Sequence, residues 1–319
     1  MTAKEIAEIA GVSPATVSNV LNGRKNVGKE TRERILKICE EEGFSLDIES
    51  GTSRDPKIIL FNFSDFDRKF YLRIIHGISD YVYSHGYDLI VSTTNSCARF
   101  MDSKFTSGAI ILDSKCKDTM LMEKARLGYK IITMDRIFED PNIRSVVVNN
   151  YDPMTKLMEE LVKHGYRKYA FLAGLDTSDN QERYKAFLDV LEKHQILLPK
   201  DHYYIGDFKE KSGYQAARLM ILSGNLPEVL VCANDNMAIG AMKAIKREGL
   251  RIPEDVAITG FDGNETAEMM GLTTVEIPNY ERGYLAAQCL IQLIAGTLEE
   301  NMLRISAAVK IRDSIHFVK

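Results

Sequence analysis

Ala15, Thr16, Ser18, Asn19 and Asn22 stand in the stretch AEIAGVSPATVSNVLNG (7–23), on helix faces that Val17, Val20 and Leu21 leave free. Hydroxyl and amide groups both donate and accept hydrogen bonds, so such a face suits contact with another surface better than simple solvation by Glu and Lys. From Arg24 to Lys37 there are six basic and two acidic residues, although the first 46 residues carry seven of each sign. Positive charge just after a polar helix is what the phosphates flanking a helix in a DNA major groove require. The alternative use of the same residues is a small helical dimerisation or docking cap with a solvated charged loop.

Three short helices must position that face. Thr2 can cap a first helix carrying Ile6, Ile9 and Ala10, and Gly11 supplies the turn that ends it. Ser13 is an N-cap and Pro14 an N1 residue, so the second helix is predicted to start there. The stretch GKETRERILKICEEEG, with Ile35, Leu36, Ile38 and Cys39, makes a third helix and closes a unit too small to be stable unless tightly packed.

Composition confines any nucleic-acid surface to that region. The 319-residue chain is 45% hydrophobic and 27% charged, with a formal net charge of −4 and a sequence pI near 6.0, which argues against a basic coat. Its length implies two or more domains. No apolar run reaches the roughly 20 residues of a membrane span, and MTAKEIAEIAG lacks a signal-peptide profile, so a cytoplasmic protein is expected. Cys39, Cys97, Cys116, Cys232 and Cys289 form no C-x-x-C pair and are expected to be reduced and structural. The six histidines are dispersed, so neither metal nor cofactor is expected.

From Ile58 onward the pattern changes. Short Val- and Ile-rich runs (IILFNF, DLIVSTT, GAIIL, KIITM, SVVVN, YAFLAG, VLVCAND, VAITGFD) alternate with amphipathic stretches such as ERYKAFLDVLEKH, where Tyr184, Phe187, Leu188 and Leu191 repeat at helical spacing. This alternation implies parallel sheets with helices on both faces, and so many strands suit two lobes better than one.

Over more than 40 residues, TAKEIAEIAGVSPATVSNVLNGRKNVGKETRERILKICEEEGF resembles the headpiece of the LacI/GalR (lactose-repressor) family. The resemblance implies a helix-turn-helix in which Pro14, Ala15 and Asn19 match base-reading positions and Thr16, Ser18 and Asn22 backbone-contacting ones, with Ser13, Arg24 and Lys29 beside them. Arginine is the commonest family residue at position 19. Asparagine there changes the preferred base, because arginine pairs with guanine and asparagine with adenine.

SGAIIL, MDR, KHGYRKYAFLAG, CANDNMAIGAMKAIKREGLRIPEDVAITGFD and MGLTTVEIP extend the resemblance to the family's effector-binding core, which is similar to periplasmic sugar-binding proteins. The implied class is α/β: a helix-turn-helix headpiece and a two-lobed core with two Rossmann-like parallel sheets. The expected organisation is a headpiece at 1–46, a linker at 47–57 and a core at 58–319. Within the core, one lobe is expected at 58–148 and 278–299 and the other at 149–277 and 300–319. Ligands of open α/β sheets gather at the carboxyl ends of strands. The candidates there are Asp135, Arg136, Asn149, Phe208 and Asp262, with Arg183 matching the family's effector-contacting arginine. Asn150, Asn234 and Asp235 also end strands, the last two more suited to organising a loop and helix start. Plainer roles exist: Arg183 can pair with Glu182 or a nearby acid on a solvated helix face, Phe208 can be core, and Asp262 can cap or turn the chain. Two departures bear on the ligand: Asn149 replaces the usual aspartate, and SDFDRKFY replaces the common Asn-Pro-Phe-Phe after the first strand.

The linker departs furthest. GFSLDIESGTSRDPKII lacks the family's Ala-Arg-x-Leu, places Asp47 and Glu49 where phosphate would repel them, and carries Gly51, Thr52, Ser53 and Pro56, all unfavourable to helix. A flexible linker is expected, with Leu46 and Ile48 as the alternative minor-groove wedges. The expected function is a homodimeric DNA-binding transcriptional regulator, a repressor, controlled by a small molecule such as a sugar bound between the lobes. A free cytoplasmic sugar-binding receptor with the same core is the alternative. An enzyme is not expected. SKCK (114–117) and SDN (178–180) imitate two motifs of penicillin-recognising enzymes, but no K-T-G follows, and G-x-S-x-G, G-x-G-x-x-G, P-loop and H-E-x-x-H patterns are absent.

Overall fold

A computed structural model describes residues 3–21, 27–41, 56–64, 70–102 and 105–316. The chain divides into two compact units, 1–56 and 57–319. In the first, α1 (Ala3–Ala10), α2 (Pro14–Leu21) and α3 (Lys29–Glu41) bury Ile6, Ala7, Ala10, Val17, Val20, Ile35 and Cys39 together. Ile9, expected in this core, is 54% exposed, and Ala7 takes its place. The break between α1 and α2 follows from two residues. Gly11 turns the chain at a φ of +62°, and Ser13 Oγ accepts the Thr16 N–H at 3.1 Å, capping α2. Thr2 and linker positions 47–55, together with Leu46, lie outside the described residues.

The second unit contains two six-stranded sheets. The first lobe runs through β1 (Ile58–Phe63), α4 (Tyr71–Ser84), β2 (Asp88–Thr93), α5 (Thr94–Phe100), β3 (Gly108–Leu112), α6 (Asp118–Arg126), β4 (Lys130–Thr133) and β5 (Ile143–Val148). The second runs through α7 (Tyr151–Lys163), β6 (Tyr169–Ala173), α8 (Ser178–Lys193), β7 (Tyr203–Ile205), α9 (Glu210–Leu222), β8 (Val229–Cys232), α10 (Asp235–Arg247), β9 (Ala257–Asp262), α11 (Glu265–Met269) and β10 (Thr273–Glu276). The chain then returns to the first lobe as α12 (Asn279–Ala295) and β11 (Met302–Ile305), and crosses back as β12 (Ala308–Lys310).

Strand order is β11-β5-β4-β3-β1-β2 in one sheet and β12-β10-β9-β8-β6-β7 in the other. All pairings are parallel except β10 with β12. Central strands such as β3 and β6 are buried at every position, because helices cover both faces of a parallel sheet and continuous Val, Ile and Leu runs are what such strands need. One boundary needs correction. The segment 300–319 was expected wholly in the second lobe, but Met302–Ile305 extends the first sheet, in register with Ser145–Val148. Only the residues after it join the second sheet, and β11 is short and not strongly apolar, which leaves its lobe unmarked in sequence.

Glycine brings the returning helix onto the first lobe. A Cβ on Gly77 of α4 would stand 2.0 Å from the Tyr280 carbonyl oxygen, and one on Gly283 of α12 would stand 2.2 Å from that of Ile74. The two helix backbones therefore touch, and α12 is fixed with its first turn at the crossover between lobes. Among the described residues no helix is long and apolar enough to cross a membrane.

Candidate functional site

On α2, Ser13, Pro14, Ala15 and Ser18 are exposed and Thr16 and Asn19 half-buried, while Val17 and Val20 face inward. The polar face expected from the sequence is therefore presented outward. Ser13 has a second task as the helix cap, its Oγ lying 2.8 Å from Thr16 Oγ1. Lys29, at the start of α3, is exposed and lies 3.9 Å from Glu33, a spacing that leaves its charge available to phosphate. Asn22 and Arg24 lie outside the described residues.

In the second unit a cavity of about 310 Å³ opens between the lobes. Asp135, Arg136, Arg183, Phe208 and Asp262 all line it. Asn149 does not: its Nδ2 donates to Asp152 at 2.7 Å and its Oδ1 accepts the Asp152 N–H at 3.2 Å, so it caps the start of α7. The chain turns into α7 immediately after β5, which carries residue 149 away from the cleft. Arg136 reaches the wall but is held by the loops around it. Its Nε donates to Asp135 at 3.0 Å, its Nη1 to the Cys116 carbonyl at 2.9 Å and to Asp118 at 2.7 Å, and its Nη2 to the Asp113 carbonyl.

The second-lobe wall is closely organised. Arg183 Nε donates to Asn150 at 2.9 Å, its Nη1 donates to the Ala233 carbonyl at 2.7 Å and lies 3.7 Å from Asp262, and its guanidinium stacks 3.8 Å from the Phe261 ring centre. Arg183 and Asp262 are neighbours on one wall rather than facing each other across the cleft. Glu182 is not the partner of Arg183, since it pairs with Arg304 at 3.3 Å. Asp262 and Phe208 adopt positive φ values of 115° and 67°, conformations that cost about 1–3 kcal/mol each for residues other than glycine. The Phe208 ring lies on Gly174, where a Cβ would stand 2.0 Å from it, and the Phe208 carbonyl accepts from Asn234 Nδ2 at 3.0 Å. Asn234 caps α10 through Met237 N–H at 3.1 Å and also lines the cavity. Asp235 lies behind, accepting from Thr274 Oγ1 at 2.5 Å and Asn264 N–H at 2.8 Å. Burial, and then the charge of Asp262, push the Asp235 carboxyl up to about 8.

The first-lobe wall holds the residue that sequence reasoning missed. Arg282, in the first turn of α12, is 3% exposed and lines the cavity. Its Nη2 donates to the Met134 carbonyl, its Nε has no hydrogen-bond partner, and no carboxylate of the described residues lies within ion-pair distance of it. Burial lowers its pKa, against the more distant charges of Asp179 and Asp135. Burial likewise raises the Asp135 carboxyl despite Arg136 beside it. A signal for Arg282 existed: it interrupts the buried stripe of Gly283, Ala286, Ala287 and Leu290, and a charge on an apolar helix face requires a reason. Phe70, Tyr71 and Ser64, from SDFDRKFY, complete this wall. Across the cleft, Ser178 Oγ donates to the Asp135 carbonyl at 2.9 Å and Arg73 lies 3.4 Å from Glu265, so the lobes touch at two points. Among the described residues no cluster of His, Cys, Asp or Glu is arranged to hold a metal.

Residues 2–46 match the profile of bacterial regulatory proteins of the lacI family, and residues 158–315 that of a periplasmic binding protein-like domain. A sugar-binding transcriptional regulator (LacI family) from Enterococcus faecalis is 30% identical in sequence, with a TM-score of 0.76 over 83% of this chain and 100% of that one. The chain belongs to the lacI family. This regulator is 28% identical to the ribose operon repressor of Haemophilus influenzae, over 100% of this chain and 99% of the relative. The lac repressor dimer bound to operator and the anti-inducer ONPF superposes with a TM-score of 0.74 at 26% identity, covering 98% of both chains. The lacI-family chain is thus a DNA-binding transcription regulator and not an enzyme, built as helix-turn-helix plus periplasmic-binding-protein-like core.

Proposed function

We propose that this regulator is a homodimeric cytoplasmic repressor whose operator affinity is set by a polyhydroxylated metabolite, a sugar or a close relative, bound between the lobes. The observation that carries the reading is the meeting of Arg183, Asp262, Asp135, Phe208 and Arg282 around one cavity of about 310 Å³, a volume suited to a small ligand. Carboxylates accept from hydroxyls, guanidinium groups donate to hydroxyl or ring oxygens, and an aromatic ring covers an apolar sugar face. Asp262 acts as acceptor and Arg183 and Arg282 as donors, while Arg136 and Asp135 brace the wall. Relatives named for ribose and sugar binding support the ligand class. Differential affinity for the ligand between DNA-competent and incompetent lobe arrangements supplies the coupling.

On DNA, Pro14, Ala15 and Asn19 read bases, and Ser13, Thr16, Ser18, Asn22, Arg24 and Lys29 contact the backbone. The linker at 47–57 joins headpiece to core without wedging the operator. A thermal-shift screen of sugars, sugar phosphates and purines on wild type and Asp262→Ala tests the ligand reading. A sugar that stabilises wild type and fails on the variant supports it, whereas a response to purines alone refutes it. Deleting residues 1–46 should abolish operator binding and leave ligand binding intact.

A further inference from the structure

Two cysteines outside the ligand contacts stand side by side beneath the first-lobe wall. Cys97, on α5, and Cys116, in the loop between β3 and α6, have Sγ atoms 3.7 Å apart and are 1% and 4% exposed. Met101 Sδ lies 3.4 Å from Cys97 Sγ, so Cys97 and its sulfur neighbours form a small cluster within an otherwise hydrocarbon core. The Cys116 loop is also part of the cavity wall. Its carbonyl is an acceptor of Arg136, the preceding Ser114 lines the cavity, and Asp113 ties the loop to Asn62 at 2.9 Å and Thr94 at 2.6 Å. Thr94 begins the helix that carries Cys97.

We propose that Cys97 and Cys116 are an oxidation site, a dithiol that hydrogen peroxide converts to an intramolecular disulfide, and that closing it shifts the Arg136 side of the interlobe cavity. The chemistry assigns the order of attack. A hydrogen bond from Cys97 and, more weakly, the charge of Arg136 lower the Cys116 pKa against burial and the charges of Asp113 and Asp135, whereas the same hydrogen bond and burial raise that of Cys97. Cys116 is the more readily formed thiolate and attacks the peroxide oxygen, giving a sulfenic acid and water. The Cys97 sulfur then attacks the Cys116 sulfur, the sulfenic oxygen leaves as a second water, and one S–S bond forms. Two thiols and one peroxide thus give one disulfide and two waters, the peroxide taking both electrons. Closing the gap from 3.7 Å to bonding distance draws the Cys116 loop toward α5 and moves the carbonyl that anchors Arg136.

The full-length reduced protein is treated with hydrogen peroxide, unfolded under alkylating conditions and mapped by mass spectrometry. Its five thiols should fall to three, with a Cys97–Cys116 cross-linked peptide that dithiothreitol releases. Cys97→Ser should instead carry its Cys116 on to sulfinic acid, and Cys116→Ser should keep Cys97 reduced. Hydrogen exchange should change in the peptides spanning 113–117 and 134–138 of the oxidised wild type. Five thiols surviving peroxide, a bridge to another cysteine, or sulfinic acid on wild-type Cys116 without a bridge overturns the site. Unchanged exchange at 134–138 in the bridged protein overturns its coupling to the cavity. Neither readout depends on knowing the effector, and the wild-type map stands if a serine variant fails to fold.

Discussion

On the second-lobe wall, Arg183 has two hydrogen bonds, a carboxylate neighbour and a ring beneath it; on the first-lobe wall, Arg282 is as deeply buried and has one carbonyl and no ion pair. The same side chain in the same cavity is thus satisfied by protein on one side and left short of partners on the other. A buried guanidinium short of partners is costly. On the proposed reading, an oxygen of the bound metabolite offsets that cost. The second lobe accordingly presents a ready surface, including Asp262 and Phe208 held at positive φ, and the first lobe presents unmet hydrogen-bonding demand.

The contrast can be broken by removing each charge with a side chain of similar length. Arg183→Met removes the guanidinium beside the part-buried Asp262 and takes the donors from Asn150 and Ala233, so the ligand-free protein should lose about 3 kcal/mol of stability, the low end for deleting one partner of a buried pair. Arg282→Met removes a charge with no close partner and should leave ligand-free stability unchanged or raise it by about 1–3 kcal/mol. Both variants should lose ligand-induced stabilisation. Denaturant titrations check this, and equal losses in the two variants would show that the walls do not differ.

Two further variants sharpen the comparison at the level of function. Asp262→Ala should abolish the response to effector while ligand-free operator binding stays near normal; concurrent loss of DNA binding would mean that Asp262 holds the fold. Asn19→Ala, in the separate headpiece, should lose about 1–3 kcal/mol at the preferred operator and little on random DNA. Fluorescence anisotropy on both DNAs checks it, and equal losses would assign Asn19 to backbone contact.

The second-lobe wall was also the more legible in sequence. Asp262 and Phe208 end a strand or follow one closely, where the topology of parallel sheets places ligands, and Arg183 lies in the second turn of a helix beside them. Asn149 ends a strand too, yet the turn into α7 redirects it, and a turn one residue away is invisible to a strand-end rule. Arg282 follows no strand end: it reaches the cavity because Gly77 and Gly283 let α12 lie against α4, a close approach that only the folded chain reveals. The lobe of β11 was unreadable for a similar reason, since a four-residue edge strand has no periodicity of its own.

The last expected effect concerns the support behind the second-lobe wall and is read as a pH dependence. Burial and the neighbouring Asp262 push the Asp235 carboxyl up to about 8. The folded protein therefore keeps a proton on Asp235 that the unfolded chain releases near the ordinary carboxylate value. Folding is favoured by that proton fully at acid pH, and the contribution is lost as pH rises toward 8. Asp235→Asn cannot titrate. Its amide oxygen accepts the Asn264 N–H and its amide nitrogen donates to the Thr274 hydroxyl, as a protonated carboxyl would, so any offset from wild type is independent of pH. About three pH units below a folded pKa of about 8, at roughly 1.4 kcal/mol each and about 2–4 °C per kcal/mol for a body of this size, should lower the wild-type melting temperature relative to the variant by about 10 °C between pH 5 and pH 8.5. A constant difference across that range would show that Asp235 is ionised throughout, and that its hydrogen bonds to Thr274 and Asn264 outweigh burial and the repulsion from Asp262.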